Sequence, residues 1–121
     1  MNLLFYPWEN GEKPYFVNEE GYEWYVNKNL TQFAQKDDYL WGGGKHPKLE
    51  YVAFTVRKGE EIVYLLLGQN QLVVDIDETE IGLYNKVKQL KILYSFMSFD
   101  EIVAFEEERR YDDKIQKFLS E

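Results

Sequence analysis

The chain has 121 residues, no cysteine and a net charge of −8, from 22 Asp and Glu against 14 Lys and Arg, yet it also carries three Trp, ten Tyr and eight Phe. That charge repels phosphate backbones and anionic lipid headgroups, which argues against direct nucleic-acid or membrane binding as a main activity and leaves basic protein surfaces as the natural partners. Without thiols there is no disulfide framework, thiolate zinc site or cysteine nucleophile, and a balance of 45% hydrophobic to 30% charged residues is that of a single globular domain spanning residues 1–121.

Residues 3–8 are apolar and aromatic, Asn10-Gly11 is a hairpin turn signal, and Tyr15-Phe16-Val17 resumes an extended pattern, so an N-terminal hairpin is expected. Pro7 and Pro14 belong at strand ends or edges. Residues 18–21 read as a second turn and 22–26 as a further strand, while 27–38 are ambiguous, with Leu30, Phe33 and Ala34 at helical spacing. Three glycines and a proline make residues 39–47 the main irregular segment, a loop with an aromatic entrance at Tyr39 and Trp41.

Residues 49–57, 61–67 and 71–76 form three strand-like runs, and the short turns between them require antiparallel neighbours, hence a meander. From Thr79 the period changes. Leu83, Val87, Leu90, Tyr94 and Met97 mark one helix face, which Ile92, Leu93 and Phe96 are expected to widen into a well-buried surface, with Lys88 and Lys91 on the exposed side. Ser98-Phe99-Asp100-Glu101 fits a capping box opening a new helix. Phe99, Ile102 and Val103 fall opposite Tyr111, Ile115 and Phe118 on a straight cylinder, so this helix should break at residues 110–113, with an Asp capping a last short helix, or bury its two halves against different surfaces. The expected fold is α+β: an antiparallel sheet of five or six strands, an N-terminal hairpin plus a three-strand meander, covered on one face by two or three C-terminal helices.

No motif in the chain names a reaction. Gly42-Gly43-Gly44-Lys45 lacks the glycine and the Ser or Thr of a phosphate loop, and the lone His46 has no companion with which to build a metal site or triad, so it reads as an incidental surface residue. Asp75, Asp77, Glu78 and Glu80 crowd the junction of the last strand and the long helix. They fail the calcium-loop pattern and fit helix capping best, with a partner-facing acidic patch and, behind it, a divalent cation shared by Asp75 and Asp77 as the alternatives. Glu106, Glu107 and Glu108 open a charge run that reads as a solvated helix face able to meet a basic partner. Negative charge is concentrated C-terminally: residues 61–121 hold thirteen acids against seven bases, and residues 1–60 nine against seven.

In size, charge and lack of catalytic motifs the chain resembles bacterial toxin-immunity proteins and phage-encoded inhibitors of host defence. The likeness is one of profile and assigns no residue roles. It implies a small cytoplasmic inhibitor that blocks a basic surface of a toxin, nuclease or defence protein, using Asp75, Asp77, Glu78, Glu80 and Glu106 to Glu108 for encounter and Tyr39 and Trp41 as anchors. A cytoplasmic location also suits the missing positive n-region at the N-terminus. No cofactor or metal is expected. The competing readings are a small-ligand domain with an aromatic cleft near Trp41 and, behind it, a carboxylate-based or metal-assisted hydrolase.

Overall fold

Alternation of side chains along the central strands organises this molecule into two cores. The computed structural model describes residues 6–35, 41–46, 49–68 and 71–120. Strands β1 (Phe16–Val17), β2 (Glu23–Val26), β3 (Val52–Lys58), β4 (Glu61–Leu67) and β5 (Val73–Asp77) form one antiparallel sheet in the order β1-β2-β3-β4-β5. The β3–β4 hairpin runs in register from Val52↔Leu67 to Lys58↔Glu61, closing around the two residues Gly59-Glu60.

The period of two sends Ala53, Tyr64 and Leu66 to one face of the sheet and Phe54, Val56 and Leu65 to the other; on β5 an irregularity opposite Leu66 and Leu67 breaks the period, so that Val74 joins the first face while Val73 and Ile76 both join the second. The first face is covered by helices α1 (Lys28–Gln35), α2 (Glu80–Leu93) and α3 (Phe99–Arg109), which contribute Leu30 and Ala34, Leu83, Val87 and Leu90, and Ile102. The second is roofed by α4 (Asp113–Ser120), whose Ile115 and Phe118 pack with Tyr22, Trp24 and Phe54. Helices therefore lie on both faces of the sheet, not on one as the sequence suggested. The cause is the reversal of apolar phase between Ile102 and Ile115. The first helix ends at Arg109, and Asp112 opens the next, its Oδ1 accepting from the backbone N–H groups of Lys114 at 3.0 Å and Ile115 at 3.4 Å.

The other helix starts follow local rules as well. Thr79 caps α2 by accepting from Gly82 N at 2.9 Å, and Ser98 and Glu101 form the reciprocal capping box of α3. The N-terminal hairpin is that of β1 and β2, which turn through residues 18–21, where Asn18 Oδ1 accepts from Tyr22 N at 2.8 Å; Pro7–Asn10 is a 3-10 turn, which proline at its first position favours by fixing φ and lacking an N–H, and residues 3–5 of the expected first run lie outside the described residues.

The outer margin of β5 is closed by side chains. Arg109 Nε donates to the Val74 carbonyl at 2.8 Å, Lys86 Nζ to the Ile76 carbonyl at 2.7 Å, and Ile76 N–H to Asp75 Oδ1 at 3.0 Å. Among the described residues no helix is long and apolar enough to cross a membrane.

Candidate functional site

The carboxylates divide into those the fold consumes and those it presents. Asp75 and Asp77 belong to the first group. Asp75 is 8% exposed and lies 3.3 Å from Arg109 Nη2 and 3.6 Å from Lys86 Nζ, while Asp77 meets Lys86 at 3.2 Å and accepts from the Thr79 N–H at 2.8 Å and hydroxyl at 3.0 Å. Arg109 also reaches Asp112 at 3.2 Å, so one network ties β5 to α2, α3 and the turn into α4. Burial pushes the Asp77 carboxyl up, but the two Thr79 bonds and the Lys86 charge outweigh it and hold the group below the ordinary aspartate range. Asp75 is thus buried and Asp77 half-buried within this network. Among the described residues no three His, Asp or Glu side chains are grouped to hold a metal ion.

Glu80 and Glu106, expected at the surface, are 2% and 1% exposed. Glu80 Oε2 accepts from Asn27 Nδ2 at 3.0 Å, and the same amide donates to Thr55 Oγ1 at 3.0 Å, stitching α2 to the start of α1 and to β3. Glu106 Oε2 accepts from the hydroxyls of Tyr51 and, at 2.7 Å, Tyr94. Gly68 makes room for it: a Cβ there would stand 2.7 Å from Glu106 Oε1 and 2.4 Å from Val74 Cγ2. Burial, reinforced by the Glu106 carboxylate, pushes both phenols far above the ordinary tyrosine range; at Tyr51 the neighbouring Tyr94 adds to the effect.

Trp41 completes this interior cluster and is no surface anchor. It is 5% exposed, its ring lies 4.0 Å from that of Tyr51 and 5.6 Å from that of Tyr94, and its Nε1 donates to the Ala34 carbonyl at 2.6 Å. Lys91, expected outside, is 1% exposed, with its ammonium donating to Phe33 O at 2.8 Å and lying over the rings of Phe33 and Trp41. Burial lowers its pKa. His46 is likewise inside, its Nε2 3.1 Å from Tyr94 O and 2.8 Å from Met97 O, which makes that nitrogen the donor to two carbonyls at the end of α2. Gly42 sits at φ 61° with its Cα side against this ring, where a Cβ would stand 2.4 Å from His46 Cδ2. The glycine run is thus a tight fitting around a buried histidine, and the aromatic cleft expected at Trp41 is filled by core. A depression of about 320 Å³ does exist elsewhere, lined by Tyr15, Val52, Phe54 and Leu67, and Trp41 has no part in it. Tyr39 lies outside the described residues.

Of the C-terminal acids singled out in the sequence, Glu78, Glu107 and Glu108 are exposed as expected, and Asp100 and Glu101 join them on α3. At about 100° per residue Asp100 and Glu107 stand roughly 20° apart around α3, as do Glu101 and Glu108, so two acidic rows run down its outer face. Glu101 also closes the capping box, and its hydrogen bonds with Ser98 hold its carboxyl below the ordinary range.

The exposed set that sequence reasoning missed is apolar. Ile92, Leu93, Phe96 and Phe99 are 50%, 41%, 79% and 50% exposed where α2 ends and α3 begins. The helix tightens into a 3-10 turn over Tyr94–Phe96, and Tyr94, fully buried, takes the inward position that leads to Glu106. Helical phase held the signal: measured from Leu83, Tyr94 lies about 20° around α2, whereas Ile92 and Phe96 lie about 180° and 220° around. Comparison with protein-family models, with curated proteins and with solved structures finds no match to this chain.

Proposed function

We propose that this chain is a small acidic protein-binding domain, an inhibitor of the toxin-immunity or anti-defence type, that blocks a basic functional surface of a partner protein. The observation that carries this reading is the sorting of carboxylates. Asp75, Glu80 and Glu106 are buried, and they and the half-buried Asp77 are neutralised or hydrogen-bonded within the fold, while Asp100, Glu101, Glu107 and Glu108 form two rows on one exposed helix face. Rows of like charge on a rigid element raise the local potential and steer an oppositely charged partner into encounter, with an effect that salt screens over a Debye length of about 8 Å at physiological ionic strength.

The test begins with affinity capture from the native host and continues with stopped-flow association of the captured partner. Reversing Glu107 and Glu108 to Lys should slow association by about tenfold at low salt, leave unfolding transitions unchanged and flatten the dependence of rate on salt. An association rate indifferent to both salt and the reversal would eliminate electrostatic encounter at α3.

A further inference from the structure

The corner between α2 and α3 exposes an apolar strip beside the acidic face of α3. On α2 the outward side carries Ile81, Lys88 and Ile92, all exposed, and Phe96, in the 3-10 turn that follows, stands furthest into solvent, at 79%. Phe99 and the half-buried Val103 continue the apolar strip onto α3, roughly 40° apart around that helix, and the row of Glu107 and Asp100 begins roughly 40° beyond Val103. Apolar side chains therefore border carboxylates along one continuous edge.

We propose that this corner binds a helical segment of the partner that carries an apolar stripe flanked by Lys and Arg; the inference rests on the acidic-encounter reading above. Charge selects the occupant. A second copy of the chain would bring together the acidic rows of two molecules of net charge −8, and an anionic lipid surface would meet the same repulsion. A basic amphipathic helix places its stripe over Ile92, Leu93, Phe96 and Phe99 while its flanking cations reach Asp100 and Glu107, an apolar helix face laid on an apolar strip with an aromatic anchor at its centre.

The probe is a labelled helix-forming peptide of about 18 residues, with Leu at i, i+3, i+4 and i+7 and Lys and Arg on the flanks, titrated against the full chain by fluorescence anisotropy. A control peptide keeps the Leu stripe and replaces the cations with Glu. Two variants separate the contributions: Phe96→Ser with Phe99→Ser, and Asp100→Lys with Glu107→Lys, each checked for an unaltered unfolding transition. The basic peptide should bind, the serine variant should weaken it at least tenfold mainly by faster dissociation, and the charge variant should slow association and remove the salt dependence. The proposal is overturned if the basic peptide does not bind, if the serine variant binds it like the wild type, or if the Glu-flanked peptide binds equally well. Should the serine variant be silent while the charge variant still slows association, the acidic-encounter reading survives and only the corner is lost; silence of both removes both. A dimer in sedimentation equilibrium that Phe96→Ser dissolves, or Phe96-dependent binding to phosphatidylcholine vesicles, would give the corner to self-association or to a lipid surface and overturn the proposal.

Discussion

Replacing Trp41 with alanine should cost about 4 kcal/mol of folding stability, near the middle of the range for removing a fully packed large aromatic side chain. Burying a tryptophan removes on the order of 200 Å² from water, worth about 5 kcal/mol at 25 cal/mol per Å² and less against a compact unfolded chain. The same substitution orphans the Ala34 carbonyl, which accepts from Trp41 Nε1 at 2.6 Å, and takes away the ring that lies 5.4 Å from the buried Lys91 ammonium. Trp41→Phe separates these contributions: it preserves much of the stack on Tyr51 but deletes the donor, and should cost about 1–2 kcal/mol. Urea unfolding followed by far-ultraviolet circular dichroism measures both, with an unchanged slope showing that the midpoint shift is a change in stability. A loss below about 1 kcal/mol for Trp41→Ala at constant slope would refute its place in the core. So would a Phe variant as damaging as the Ala one, which would move the weight from packing to a single hydrogen bond.

Two pH predictions follow from the buried and paired groups. Tyr51, Tyr64 and Tyr94 have folded pKa values raised above the unfolded value of about 10, chiefly by burial; their stabilisation is complete below about pH 10 and is lost as pH rises toward those folded values, because only the unfolded chain gives up the protons. Their phenolate absorbance should accordingly appear together with unfolding, and ionisation of all ten tyrosines in one fast phase with the dichroism spectrum intact would refute this. On the acid side, Asp77 and Asp112 are depressed, burial opposing and hydrogen bonds and neighbouring cations prevailing, so their stabilisation is present above about pH 4 and is lost as pH falls through their folded values. Asp77→Asn with Asp112→Asn should flatten the decline of stability below that pH, and an unaltered acid slope would count against the pairing with Lys86 and Arg109.

Features that depend on neighbours in the chain were readable from the sequence. Alternation along Val52–Lys58 and Glu61–Leu67 places residues on opposite sheet faces, Ser98 and Glu101 cap each other three residues apart, and the phase reversal between Ile102 and Ile115 requires the break that Asp112 fills. The interior polar cluster depends on partners distant in sequence. Nothing beside Glu106 distinguishes it from Glu107 except its angle, roughly 40° from Ile102, and its meaning comes from Tyr51, 55 residues away. Trp41 sits among glycines that resemble a connector, and its burial requires Tyr51, Tyr94 and Lys91 to converge from three separate segments. The apolar corner is hidden by residue type, because Ile92, Leu93 and Phe96 have the composition of a core, whereas their helical phase places them outward.

The side chains that close β5 also limit how this molecule can associate through its sheet. Open-ended fibril growth needs two free margins per subunit, one to accept the previous chain and one to offer the next. Here Arg109 and Lys86 occupy the Val74 and Ile76 carbonyls from within. A copy adding at the β1 margin would thus find no continuation at β5, and edge-to-edge stacking would terminate instead of propagating. The same two cations, held in place by Asp75, Asp77 and Asp112, therefore protect a chain rich in aromatic side chains against polymerisation at one end of its sheet.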